Sequence, residues 1–250
     1  MLIKCDRHTK KDLDIWAMHE EADASLALVM QPKIDQALNL MREWVQGKRV
    51  YVATSWGKDS LVVAHMAWLV ARDLKLIHLR PTNHNPDCDE VRDLYFKQFP
   101  GQPYEEIVVD YTHLDLTTIS PQHLDKETDK VWWGIVDQLQ KAHDGYILGI
   151  RSEESTGRRL RIAKGLAYNK SLLPIGHWKN EHVFAYLYRY DLPIHPAYAM
   201  CGGGRYPRRH IRVAEIGDNP GDGMGRAEWE KEYYGDFYRR MIANSWRRRA

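Results

Sequence analysis

An α/β fold, a parallel twisted sheet with helices on both faces, is predicted by three observations. From residue 49 onward, short apolar runs alternate with longer segments of helical periodicity. The strand-like runs are separated by segments of helix length, the sequence form of a parallel sheet covered on both sides. Polar stretches follow directly on three of the runs, where open α/β sheets place ligands, outside the carboxyl ends of the strands.

The elements follow in order. Asp12 to Gly47 reads as two helices around Gln31-Pro32, the second with Ile34, Leu38, Met41 and Val45 on one face. Arg49–Thr54 is a strand, and Asp59–Asp73 a helix with Leu61, Ala64, His65, Trp68 and Leu69 inward. Leu74–Leu79 is the second strand, followed by a helix from about Pro86 to Phe99. Next come strand Glu106–Tyr111, helix Lys130–His143 and strand Tyr146–Ile150. Ser171–Ile175 is another short strand and Asn180–Tyr190 another helix. No repeat or low-complexity linker interrupts the series.

The chain has 250 residues, enough for one substantial core with appendages. Its 36 Lys and Arg against 34 Asp and Glu give no general pull toward polyanions. The cations are unevenly spread: the last third holds Arg205, Arg208, Arg209, Arg212, Arg226, Arg239 and Arg240, and the chain closes on Arg247-Arg248-Arg249. Such a run is either a solvated helix and terminus or a polyanion site. Cys5, Cys88 and Cys201 lie far apart, which suits a reducing cytosol and argues against a disulfide scaffold or clustered zinc. The start is polar without an apolar signal core, and no run approaches membrane-spanning length, so a soluble cytoplasmic protein is expected.

The most informative stretch is Ser55-Trp56-Gly57-Lys58-Asp59-Ser60, between a strand and a helix. Gly57 lets the backbone approach an anion, and the first free N–H groups of the helix point at that anion with the positive dipole end behind them. Lys58 adds a point charge, and Ser55 and Ser60 add hydroxyl donors. Asp59 is either a helix-start residue or a partner of a bound Mg²⁺. The kinase-type phosphate loop is excluded, because Val52 stands where its first Gly would be and Asp59 follows the Lys.

A second constellation, Gly149 to Arg159, comes straight off an apolar strand. Arg151 and Arg158 can fork onto phosphate or sulfate oxygens, Glu154 can hold either guanidinium, and Ser155 offers a further donor. A helical segment between the two arginines would bring them to one face. After the second strand, His84 and Cys88 read as parts of a helix start, with Asn85 capping and Pro86 at the first helical position, while Asp87 stays open. Cys201-Gly202-Gly203-Gly204 reads as a loop closing over a ligand, and Trp132-Trp133 as core or an interface patch. Arg205, Tyr206, Arg208, Arg209 and Arg212 form either a solvated loop or a surface for a nucleic-acid backbone or a partner protein.

The hexapeptide 55–60 resembles the SxGKDS signature of the PP-loop in the ATP pyrophosphatase superfamily, whose members split ATP between its α and β phosphates. Gly149 to Arg158 resembles the G-x-R-x-x-E-S-x-x-R block of the phosphoadenosine phosphosulfate reductase family. Pro174 to Trp178, His182 to Leu187 and Pro193 to Tyr198 resemble that family's downstream run. The resemblance covers roughly 49 to 204. It implies an adenine nucleotide alpha hydrolase-like, Rossmann-like fold, with a helical extension (1–48), a nucleotide-binding domain (49–200) and a basic C-terminal segment (201–250). It implies ATP and Mg²⁺, with Asp59 near the metal. It also implies a nucleotide site of Ser55, Trp56, Gly57, Lys58, Asp59, Ser60, Asp87, Gly149, Arg151, Glu154 and Ser155, with Lys58, Asp59, Arg151 and Arg158 catalytic. Asp87 takes the place where the family often sets an acidic residue near the ribose.

The departures are specific. Trp56 replaces the family's Gly and either narrows the pocket or sets a ring beside the nucleotide. His182 replaces an Asp. The reductases' terminal Glu-Cys-Gly-x-His segment is absent; the chain ends Asn244 to Ala250 and no Cys follows Cys201. Without that thiolate, thioredoxin-linked reduction is not expected. Adenylation of an unknown acceptor is expected instead, in sulfur metabolism or sulfur modification of nucleic acid, as in the small subunit of bacterial ATP sulfurylase and the DNA phosphorothioation pyrophosphatases. A true reductase and a nucleotide-binding subunit without turnover are the alternatives.

Overall fold

The computed structural model describes residues 1–110, 121–216 and 226–247, without the side chains of 121–126, 227, 238 and 240–247. Tyr111, the side chains of Arg240 and of Asn244 to Arg247, and residues 248–250 therefore fall outside the described residues.

Six strands make one sheet: β1 (Val50–Ala53), β2 (Lys75–Pro81), β3 (Tyr104–Val109), β4 (Gly145–Ile147), β5 (Ala167–Tyr168) and β6 (Ser171–Leu172). Their order is β3-β2-β1-β4-β6-β5, parallel throughout except for the short hairpin of β5 on β6. The predicted parallel α/β class is the one observed. Val52 is paired with Leu76 on one side and Ile147 on the other, and all three are fully buried. That burial on both faces explains why the central strands read as unbroken apolar runs. Edge strand β3 instead exposes Val108 and carries Glu105 and Glu106.

Helices α3 (Lys58–Val70) and α4 (Asp87–Gln98) connect β1 to β2 and β2 to β3, and α5 (Pro121–Ala142) leads back across to β4. Right-handed crossovers put α3 and α4 on one face and α5 on the other. The chain leaves β1 toward β2 and leaves β4 toward β6, in opposite directions, so the switch point lies between β1 and β4. The 55–60 loop and the 149–155 segment both open there.

The remaining helices are α1 (Lys10–Ala27), α2 (Gln31–Val45), α6 (Thr156–Ile162), α7 (Asn180–Arg189) and α8 (Arg226–Arg247). In α2, Ile34, Leu38 and Met41 are buried as their spacing predicts. Helix α1 opens with a capping box between Thr9 and Asp12 and packs on α7. Its buried stripe includes two acids, Asp12 and Asp23. Asp23 takes both guanidinium nitrogens of Arg208 at 2.6 Å, and that guanidinium lies 4.0 Å above the Phe184 ring. Asp12 accepts from Cys201 Sγ, the Gly203 N–H and the Tyr233 hydroxyl. The Gly202 N–H also bonds Tyr233, so the three-glycine turn is pinned to α1 and α8. The expected loop closing over a ligand is corrected here: Gly202 to Gly204 take positive φ of 57°, 64° and 101° to make a tight structural turn. No helix among the described residues is long and apolar enough to cross a membrane.

Candidate nucleotide site

Beyond β1 the chain turns at Thr54, whose N–H bonds the Ile77 carbonyl, and Trp56 enters the left-handed region at φ 60°. Such a backbone is unusual for a bulky residue and needs strong surroundings. They exist: the indole is 1% exposed, among the rings of His78, Tyr95, Phe96 and Tyr104. The expected ring beside the nucleotide is thereby corrected. Trp56 points into the core, and only its backbone belongs to the loop.

Gly57 caps α3 with an ordinary φ of −76°, so its requirement is space. A Cβ there would lie 3.3 Å from Val213 Cγ2 and 3.4 Å from the Tyr198 hydroxyl oxygen. Ser60 closes the loop from inside: its hydroxyl donates to the Gly57 carbonyl and accepts from the Ser55 N–H. Its proton is therefore used within the loop. The Lys58 N–H bonds the Tyr198 hydroxyl, which leaves the N–H groups of Asp59 and Ser60 as first-turn donors with no acceptor in the helix.

The charges are interlocked. Asp59 Oδ2 is 3.0 Å from Lys58 Nζ, and Oδ1 accepts from Arg151 Nε at 2.6 Å. Burial works to raise the Asp59 pKa, but Lys58 and then Arg151 outweigh it and hold the carboxyl below its usual range. Arg151 is 1% exposed; burial opposes its charge, and Asp59 more than restores it. Its Nη1 also donates to Glu153 and to the Trp178 carbonyl. Arg151 thus ties the end of β4 to the start of α3.

The approach of these two elements is very close. A Cβ on Gly149 would lie 2.6 Å from the Asp59 carbonyl carbon and oxygen and 2.8 Å from Ser60 N. Only glycine lets β4 end against the helix start. Beyond it, a 3-10 turn over Ser152–Glu154 stops at Ser155, which is extended (φ −165°) and caps α6 by accepting from the Arg158 N–H. The expectation that one helical face carries both arginines is corrected by this break. Glu154 spans it, holding the Arg151 N–H at 2.8 Å and Arg158 Nη1 at 2.5 Å.

Two clefts open around the loop. The larger, about 510 Å³, is lined by Ser55, Gly57, Lys58, Asp59, Ser60, Gly149, Glu154 and Arg158. Trp132, Trp133 and Leu139 from α5 add an apolar wall, a location the reading of core or interface patch missed. The smaller, about 380 Å³, shares Lys58, Glu154, Ile211 and Arg212 with it and adds Arg151, Glu153, Ser155 and Arg209. Tyr198 and Arg212 lie at the loop through tertiary packing; the only prior signal for Tyr198 was its place in the Pro193–Tyr198 run.

Asp87 lines neither cleft. Both carboxylate oxygens accept from Arg7 Nη2 at 2.7–2.8 Å, and Oδ2 also accepts from the Tyr234 hydroxyl at 2.7 Å, so residues near both ends of the chain are joined to α4. A role near the ribose is corrected accordingly. The expected cap is shifted by one residue: Pro86 is the N-cap and α4 begins at Asp87, while Asn85, one position earlier, accepts from the Asp87 N–H. Cys88 is buried with its thiol on the Val213 carbonyl, and His84 is buried beside His78. His182, in the family's Asp position, accepts from the Lys179 N–H and caps α7.

The residues present do not make a protein cage for Mg²⁺. Both Asp59 oxygens are engaged by cations, and no group of three His, Cys, Asp or Glu among the described residues could hold a metal. Cys201 is equally unsuited to nucleophilic work: its buried thiol donates to Asp12, and burial followed by that carboxylate raises its pKa.

A search of curated proteins finds no match. Among solved structures, phosphoadenylyl-sulfate reductase from Candida auris in a phosphate complex is 16% identical, covering 64% of this chain and 82% of that one, with TM-score 0.41. The U34-tRNA thiolase NcsA from Methanococcus maripaludis is 13% identical over 87% and 80%, with TM-score 0.49. FMN adenylyltransferase from Candida glabrata in complex with ATP is 12% identical over 77% and 69%, with TM-score 0.45. The phosphoadenosine phosphosulfate reductase domain matches residues 49–201, from the first strand to Cys201. With more than half of its length matched, and with both blocks of that domain meeting at the switch point, this chain belongs to the phosphoadenosine phosphosulfate reductase domain family.

Proposed function

We propose that this protein is an ATP pyrophosphatase of the PP-loop type that adenylates an acceptor. The observation that carries the reading is the corner at Lys58. A buried lysine, a helix start with open N–H groups and the Ser55 hydroxyl all face one cleft with an apolar wall. Such a site suits a nucleotide whose base rests on apolar side chains while its pyrophosphate meets the helix start. An acceptor oxygen or other nucleophile attacks the α-phosphorus, the bond to the bridging oxygen breaks, and pyrophosphate leaves with that electron pair. Lys58 and the N–H groups of Asp59 and Ser60 stabilise the leaving charge. Asp59 keeps Lys58 and Arg151 in place. Arg158, about a third exposed on the cleft wall, reaches the α-phosphate or the acceptor.

The position of Cys201 favours this reading over a thiol-dependent reductase, since its thiol is held in a structural hydrogen bond away from the loop. The test uses Mg²⁺ and ATP labelled at the α or γ position. Pyrophosphate with AMP or an adenylate adduct is expected. ADP with phosphate would overturn the reading, and stoichiometric binding without turnover would replace it with a nucleotide-binding subunit.

A further inference from the structure

We propose that the smaller cleft is the acceptor site and that the acceptor carries a phosphate or sulfate oxyanion; this rests on the adenylyl-transfer reading. Position is the first argument. The cleft shares Lys58, Glu154, Ile211 and Arg212 with the nucleotide cleft, so a molecule seated in it lies against the loop where the α-phosphate would be presented.

Charge is the second. Lys58, Arg151, Arg209, Arg212 and Arg226 line the cleft against two acids, Glu153 and Glu154. The acids are already engaged, Glu153 by Arg151 and Glu154 by Arg158. Arg226 is paired with Glu230. Arg209 is different: it is exposed, its Nε donates to His210 Nε2 at 2.9 Å, and no carboxylate pairs with it among the described residues. Among the described residues its remaining donors meet no acceptor, and they suit an anion. The cleft also holds a buried polar group in need of a partner. Asn180 is 8% exposed and lines the cleft, and its side-chain oxygen has no hydrogen bond within the described structure.

Size and origin complete the argument. About 380 Å³ is more than a bare oxyanion fills and falls in the range of small-molecule sites, so the oxyanion belongs to a larger group. More than half of the lining, Tyr206, Pro207 and Arg209 to Arg212 with Arg226 and Trp229, lies beyond residues 49–201. The part of the chain outside the shared domain thus builds the wall that would select the acceptor.

The test is isothermal titration of the full chain saturated with α,β-methylene-ATP, which occupies the nucleotide cleft without turnover. Two probes are titrated in turn: inorganic sulfate, and a dinucleotide bearing a 5′-phosphate. One-to-one binding of either probe is expected, weakened about tenfold in Arg209→Gln, with α,β-methylene-ATP affinity unchanged. Tighter binding of the dinucleotide assigns the oxyanion to a phosphate ester, and equal or tighter binding of sulfate assigns it to a free anion. If neither probe binds the wild type, or if Arg209→Gln binds as well as wild type, the acceptor site is overturned while the nucleotide site stands. If the wild type does not bind α,β-methylene-ATP, the adenylyl-transfer reading fails first and takes this inference with it.

Discussion

Lys58 couples three roles in one side chain: cation for a ligand, partner of Asp59, and a charge 5.2 Å above the Tyr198 ring. Lys58→Ala should weaken ATP binding by about 1.5–3 kcal/mol, the worth of a charge-assisted contact. Asp59 keeps Arg151, so the fold should persist. ATP titration with circular dichroism checks both, and wild-type affinity would remove Lys58 from the site. Arg158→Ala differs in kind: its only described partner is Glu154, across a half-open surface. It should change stability by no more than about 1 kcal/mol while lowering turnover more than ATP affinity. Wild-type kinetics would reduce Arg158 to a surface ion pair. At this scale the loop's residue types were legible in the sequence, because hydroxyls, glycine and lysine at a strand-to-helix corner have few other uses. The directions of Trp56 and Asp87 were not, since each is set by partners distant in the chain, Tyr95 and Tyr104 for one, Arg7 and Tyr234 for the other.

The decisive junction between elements is the end of β4 against the start of α3. Gly149→Ala would place a methyl group inside contact distance of the Asp59 carbonyl, which is backbone and cannot swing aside. The mutant should lose about 1–3 kcal/mol of stability in urea denaturation, and ATP binding should fall with it as the loop shifts. An unaffected mutant would contradict the close approach. The strands and helices α2, α3, α4 and α7 were legible to within a few residues, but α5, which begins at Pro121 and not near Lys130, helix α8 and the interval from Ser155 to Tyr168 were not. Helix α6 is short, and β5 turns back through Asn169 at φ 50° without the usual Asn-Gly signal. Neither carries enough apolar periodicity to be recognised alone.

The whole molecule stores neutral histidines. Burial lowers His65 and His78 to about 4 and His195 to about 3. His195 Nδ1 accepts from the Ala197 N–H, a bond that protonation would remove. The unfolded chain takes up these protons near pH 6.5, whereas the folded chain does so only near pH 3–4. Stability should therefore be full above pH 6.5 and fall as pH drops through that window, by about 1.4 kcal/mol per histidine at pH 5.5 relative to pH 7.5. Asp12 and Glu106, each lowered to about 2, extend the loss to lower pH. Urea midpoints at pH 7.5, 6.5 and 5.5 check the slope; a flat profile down to pH 5 would refute it.

The sequence by itself determined the parallel α/β sheet, the loop after its first strand and the family, because these depend on local patterning and on residue types at fixed spacing; the strand order that makes this the switch point came from the structure. Only the tertiary structure decided which charges remain for ligands. Arg205 goes to Glu232, Arg208 to Asp23, Arg151 to Asp59, and Asp87 to Arg7. Those pairings join residues from 27 to 185 positions apart, so no local pattern foretells them. A buried charge must find its counterion wherever the fold brings one: Lys58 at the loop takes Asp59, whereas Arg209 at the second cleft has no carboxylate partner among the described residues, and these two cations are where we propose that the substrates bind.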